Sequence, residues 1–157
     1  QVMPRGVRDT ISGYWRNIEI RVPGTQFNFD FWADCEPKRS TYPSCRAVIA
    51  ARKQRPEAEL TMIRAIQEGY YLQARNPSDA DMLIQLSGEL GLDPEQFAED
   101  LGSQETDQEL HKEMQFGASI GAQGFPSLIL QTAQGYGYIP LDYNEPDVVL
   151  NQLERFI

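Results

Sequence analysis

Cysteine is scarce in this chain: the 157 residues hold two, Cys35 and Cys45. Two thiols exclude a disulfide framework, and their separation fits neither a zinc ribbon nor a redox pair. They are not expected to pair with each other either. Pro37 and Pro43 stiffen the connection, and a disulfide tolerates at most ~7 Å between Cα atoms. Histidine is scarcer still. The single one, His111, stands among Glu109, Lys112 and Glu113 on a polar helical pattern, so neither a metal site nor Ser-His-Asp catalysis is expected. Positive charge is short as well: 14 Lys and Arg face 23 Asp and Glu, and the acids concentrate between Glu57 and Glu113. That balance repels a phosphate backbone, which excludes nucleic acid as an expected partner. No apolar run reaches the ~18 residues of a membrane span, and Gln1–Val22 lacks the basic start and apolar middle of a signal peptide. A soluble, cytoplasmic protein without a membrane partner is expected. Gly117, Gly121 and Gly124 do not make a phosphate loop, because no strand precedes them and no Lys-Ser/Thr follows. Close helix packing and a helix stop are the expected uses of these glycines.

What is present is mostly helical punctuation. Pro4 opens a helix with Val7, Ile11, Tyr14 or Trp15, and Ile18 at helical spacing, stopped by Val22-Pro23-Gly24. Phe27 to Trp32 reads as an aromatic loop or single helical turn plugging into a core, and with Tyr70-Tyr71 is expected to be core rather than a ligand box. Thr41 to Pro43 starts a helix through Gln54 with Ala47, Val48, Ala50 and Ala51 on its small side. A further helix from Pro56 to about Arg75 carries Leu60, Ile63, Ile66 or Gln67, and Tyr70. Ser78 or Asp79 caps the next, with Met82, Leu83, Leu86 and Leu90, closed by Gly91. Asp93-Pro94-Glu95-Gln96 combines an N-cap, a proline at the first position and a capping-box partner ahead of Phe97 and Leu101. A helix over about Thr106 to Ile120 follows.

The pattern then changes. Gly124-Phe125-Pro126-Ser127 runs into the apolar Leu128-Ile129-Leu130, and proline is tolerated at the first position of a strand. Ser127 to Thr132 and Tyr136 to Leu141, around a turn centred on Gly135, predict an antiparallel hairpin. A last helix from Pro146 buries Val149, Leu150, Leu153 and Phe156. An isolated hairpin is marginal in water, so its open edge wants further strands.

Several phrases together resemble the DsbA-like family of thioredoxin-fold proteins, and most closely its FrnE-like subgroup. They are Phe27-Asn28-Phe29-Asp30-Phe31-Trp32, Ser40-Thr41-Tyr42-Pro43-Ser44-Cys45-Arg46-Ala47-Val48, Tyr70 to Asn76, Gly121 to Leu130 and Ile139-Pro140-Leu141-Asp142-Tyr143. The resemblance implies an α/β thioredoxin-like fold with a large helical insertion, about residues 4–121, and a C-terminal hairpin plus helix, about 122–157, in one domain. It places the first half of the sheet and the family's Cys-x-x-Cys ahead of Gln1, an expectation that the start at Gln rather than Met supports.

The implied activity is thiol-disulfide exchange, with the dithiol as the reactive element and neither metal nor nucleotide. In the family the proline after Phe125 is cis, and the backbone of the residue before it pairs with an extended substrate peptide. Gly124, Phe125 and Pro126 are thus the implied substrate loop, with Phe125 bulkier than the Thr or Val frequent there. Tyr42 and Cys45 are placed beside the redox site. Cys45, at a helix start next to Arg46, reads as an auxiliary thiol or as a small buried hydrophobe. Cys35, between Asp34 and Glu36, reads as inert. Two other activities share the scaffold: glutathione-dependent isomerase or transferase chemistry, and noncatalytic peptide binding or assembly. Implied partners are a protein or small-thiol substrate, and a second copy of the chain through the unpaired sheet edge.

Overall fold

The computed structural model describes residues 1–142 and 145–154. Their contacts gather into two compact units, Gln1–Leu110 and His111–Ile157. Tyr143 and Phe156, assigned above to a family phrase and to the last helix, lie outside the described residues.

In the first unit, α1 (Arg5–Arg21) starts one residue after Pro4, which occupies the N-cap instead of the first helical position. Of the alternatives Tyr14 and Trp15, Trp15 is buried, whereas Tyr14 and Ile18 are exposed. Around Trp15 gather Phe27, stacked at 4.8 Å between ring centroids, Trp32 at 4.9 Å and Tyr70 at 5.2 Å. The segment that brings in these aromatics closes as one helical turn, α2 (Phe31–Asp34), whose Phe31 is completely buried. Stacked and edge-to-face ring pairs add about 0.5–1.5 kcal/mol each beyond area burial.

The remaining helices of this unit are α3 (Tyr42–Gln54), α4 (Ala58–Leu72), α5 (Ala80–Glu89) and α6 (Pro94–Gly102). α3 packs against the other three. Its buried face is Ala47, Ala50 and Ala51 with Ile49, so small side chains line the contact where three helices converge. Met62, Leu83, Leu86 and Phe97 complete one apolar core with the three alanines.

Two sequence expectations shift here. The buried stripe of α4 is Ala58, Met62, Ile66 and Gly69, and Leu60 is 77% exposed. A residue two positions from Ala58 and Met62 points to the opposite side of the helix, so small residues rather than the larger Leu60 define the inward face. The helix also ends at Leu72 and not near Arg75, because Ala74 takes a left-handed φ of +53° that reverses the chain.

Asp79 caps α5 through its carboxylate and Gly91 turns left-handed after it, as their residue types direct. At α6, Asp93 accepts from the N–H groups of Glu95 and Gln96 at 3.0 and 3.2 Å. The reciprocal contact comes from elsewhere. Gln96 donates to Asp100 at 3.2 Å, and Gln54 of α3 accepts from the Asp93 N–H and donates to its carbonyl, both at 2.9 Å. Asp93→Ala removes a cap that also joins two helices, and is expected to lower stability by about 1 kcal/mol. A shift in urea midpoint with unchanged slope checks this; no shift would mean that the Gln54 clamp suffices.

α7 (Gln104–Ser119) begins in the first unit and ends in the second. The second unit continues with β1 (Leu128–Thr132), β2 (Gly135–Ile139) and α8 (Pro146–Glu154). The strands pair antiparallel, Leu128 opposite Ile139 and Leu130 opposite Gly137, so the sequence-predicted hairpin forms. Gly135 belongs to the first residue pair of β2 rather than the turn centre, with φ +125°, and the loop is Ala133-Gln134. β2 stops at Ile139 because Pro140 has no N–H to continue the ladder. α8 packs on β2, with Val149 and Leu153 half-buried. Leu150, expected inside, is exposed.

Candidate functional site

The loop between α7 and β1 is built by the end of the helix. Gly121 takes φ +100°, while Ala122 N–H reaches the Gly117 carbonyl at 2.9 Å, which closes α7 as a Schellman turn. Gly121 is therefore the helix stop. Close packing does not explain the other two glycines: a Cβ on Gly117 would meet Ala122 at an ordinary 3.9 Å, and one on Gly124 would meet nothing within 4 Å. The space beside Gly124 is open.

Beyond the stop, the Ser127 hydroxyl donates to the Gly124 carbonyl at 2.6 Å and pins the ends of a four-residue turn. At its tip Phe125 is 99% exposed, and the Phe125-Pro126 peptide is cis. An open groove of about 480 Å³ joins Gly124, Phe125 and Pro126 to Gln123, Ser127 and Tyr138. The three expected substrate-loop residues thus share one surface. Tyr138, two residues from Tyr136 on the same exposed face of β2, is the member that motif reading missed; the alternation of Tyr136, Tyr138 against buried Ile139 carries its signal. Among the described residues the sheet has two strands, so each keeps one edge without a strand partner. A loop with an exposed aromatic beside such an edge can receive an extended peptide as an added strand.

Tyr42 and Cys45 belong to the other unit, at the start of α3. Tyr42 lies with Ser44, Lys38, Arg39, Ile66 and Tyr70 around a cavity of about 770 Å³. Cys45 sits in the first turn of α3, its N–H bonded to the Thr41 carbonyl at 3.0 Å, and is half-buried rather than fully enclosed. Arg46, adjacent in sequence, is committed elsewhere. Its guanidinium donates to the Leu101 carbonyl at 2.7 and 2.9 Å, to the Ser103 carbonyl at 2.9 Å and to Asp107 at 2.7 Å. It holds the α6–α7 turn.

Both cysteines are thiols. Cys35 donates its S–H to the Ala74 carbonyl at 3.1 Å. Its pKa is raised from the ordinary 9.0, first by burial and then by Asp34, so desolvation is the larger reason for the inertness read from its acidic neighbours. Burial raises Tyr70 and Tyr71 above the ordinary phenol value of 10.0 as well. All three groups hold their protons more firmly in the native state than in the unfolded chain. Their contribution is complete below about pH 9 and is lost as pH rises through the raised native values, since unfolding then releases protons. Stability is therefore expected to fall on the alkaline side, with Cys35 alkylating far more slowly than a peptide thiol at pH 8. Urea titrations at pH 8 and 10.5, with mass-resolved alkylation, check both; equal stability at the two pH values contradicts the sign. Two thiols should be recovered after denaturation without reductant.

Among the described residues no group of three His, Cys, Asp or Glu gathers in a way that holds a metal. No helix among them is long and apolar enough to cross a membrane.

Comparison with known proteins places this geometry. The ClpXP adapter protein SpxH of Halalkalibacterium halodurans is 28% identical over 122 residues, which are 78% of this chain and 39% of that protein. The chain spans about two fifths of the length of this curated relative. Among solved structures, a Nitrosomonas europaea protein provisionally assigned as a disulfide isomerase superposes with a TM-score of 0.82 at 23% identity, over 99% of this chain and 76% of that one. The cytosolic disulfide reductase DsbM of Pseudomonas aeruginosa, also solved with glutathione, gives 0.76 at 24% identity, over 98% and 78%. At those identities the likeness establishes the fold, which is thioredoxin-like with DsbA-like neighbours. A family model described as thioredoxin matches residues 8–139, and the chain belongs to that family.

Proposed function

We propose that the chain is the helical and substrate-loop part of a cytoplasmic thiol-disulfide oxidoreductase of DsbA-like, FrnE-like type, forming one thioredoxin-fold domain with a redox dithiol ahead of Gln1. The observation that carries this reading is Phe125, 99% exposed beside Pro126 at the entry to a strand. Its backbone pairs with an extended substrate, bringing a substrate disulfide to the dithiol. One thiolate attacks a substrate sulfur and forms a mixed disulfide; the second thiolate then attacks the enzyme sulfur, releasing the reduced substrate and leaving an enzyme disulfide. In this reading Cys45 acts as an auxiliary thiol and Tyr42 as a substrate contact. Glutathione is the small-thiol partner, a role supported by the DsbM complex.

A second reading is a noncatalytic adapter that uses the same loop and edge to dock a protein. Its support is the relatedness to SpxH, a ClpXP adapter protein. Self-association through the sheet edge fits either reading.

Insulin reduction by the product of the complete coding sequence tests the choice. Phe125→Ala is expected to lower turnover about thirtyfold, the size of one interface hot spot, while stability changes by less than about 0.5 kcal/mol, because the side chain packs on nothing. Full activity in Phe125→Ala removes the Phe125 side chain from recognition and leaves only its backbone. No turnover by the parent protein, with peptide binding still dependent on Phe125, selects the adapter.

A further inference from the structure

Charge is divided sharply along this acidic chain: residues 1–55 hold ten of its 14 Lys and Arg but only five of its 23 Asp and Glu. On α1 these cations line a groove of about 510 Å³, where Arg5, Arg8 and Arg16 meet Asp9, Phe29 and Trp32. Arg8 is built in. Its Nη2 donates to the carbonyls of Trp32 and of Cys35, the latter at 2.9 Å, and so fixes the aromatic turn against α1. Arg16 stacks over the Phe29 ring at 5.2 Å, which holds its guanidinium along the groove wall. Arg5 is exposed in the first turn.

Two of the lining residues also carry buried polar groups. Ser12, among the few buried polar residues, also lines the groove. Trp32 Nε1 is a buried donor with no acceptor, the single such side-chain atom among the described residues. A buried donor without a partner costs free energy, which an acceptor able to reach it would recover.

We infer that this groove is a docking site for an acidic peptide segment of a partner protein, distinct from the Phe125 loop. Carboxylates of the segment pair with Arg5 and Arg16 in the planar, two-pronged fashion that guanidinium favours, while its apolar side chains cover Phe29 and Trp32. Asp9 decides between oxyanions. A carboxylate among the lining residues repels a dense phosphate dianion but can accept N–H groups, which a peptide carries and phosphate lacks.

The test uses the whole chain and a fluorescein-labelled, end-capped Asp-Glu-Phe-Glu-Asp peptide, followed by anisotropy. The neutral Asn-Gln-Phe-Gln-Asn peptide is expected to bind at least about tenfold more weakly, and Arg5→Glu and Arg16→Glu each to weaken the acidic peptide about tenfold with thermal unfolding unchanged. Raising salt from about 0.05 to 0.3 M should weaken it further. Asp9→Asn should raise affinity for phosphate while leaving the peptide bound. Equal binding of the two peptides, or unchanged binding by Arg5→Glu, overturns the proposal even if Arg16→Glu unfolds. So does full displacement by inorganic phosphate at about the peptide's own concentration, which would make the groove a small-anion site.

Discussion

Phe97→Ala is expected to lower the stability of the first unit by about 3–5 kcal/mol, enough to leave a marginal domain largely unfolded at physiological temperature. The ring is completely buried on α6 and belongs to the same core as Ala47, Ala50 and Ala51 of α3. Those alanines offer only methyl groups to the space left behind, and Met62, Leu83 and Leu86 of the same core would have to leave their own packing to fill it. A cavity that does not collapse carries the upper end of the cost. Phe97→Leu restores most of the volume and is expected to cost about 1–2 kcal/mol. Urea unfolding of the two variants measures the difference. A loss below about 1.5 kcal/mol for Phe97→Ala would mean that α6 moves in to refill the core.

How far the sequence revealed this protein depends on whether a feature is local. Asp79, Asp93, Gly91 and Gly121 do their work within a few residues, and their types disclosed where helices start and stop. The hairpin was equally readable, since two apolar runs around a short turn leave little else for the chain to form. Leu60 and Leu150 misled because helical spacing finds a stripe but not which of two apolar stripes meets a neighbour; small residues such as Ala58 and Gly69 win where helices come close. Gln54 in place of Gln96 as the partner of Asp93 could not be read at all, because it joins residues 39 apart. The candidate loop was visible as the words Gly124-Phe125-Pro126-Ser127, whereas Tyr138 joins it only through strand register. The basic groove on α1 stayed hidden for the same reason, as Phe29 and Trp32 reach Arg8 and Arg16 through the folded turn.

Arg46 shows the same limit, and its replacement has the second large expected effect. Beside Cys45 in sequence, it reads as a cation that favours thiolate. In the structure its side chain, 19% exposed, satisfies the carbonyls of Leu101 and Ser103 and reaches Asp107. Arg46→Ala leaves those carbonyls short of donors where α6 turns into α7, and is expected to cost about 2–4 kcal/mol. Arg46→Lys should recover only a minor part, since one ammonium cannot span two carbonyls and a carboxylate in the geometry of a fork. The alternative role gives the opposite pattern. If Arg46 served the Cys45 thiol, Arg46→Ala would slow alkylation of Cys45 and leave the urea midpoint nearly in place, and Arg46→Lys would retain the parental rate. Paired alkylation and unfolding measurements on both variants therefore separate the roles. A midpoint shift in Arg46→Ala with Lys giving little rescue assigns the residue to the turn, and a changed alkylation rate at constant stability assigns it to the thiol.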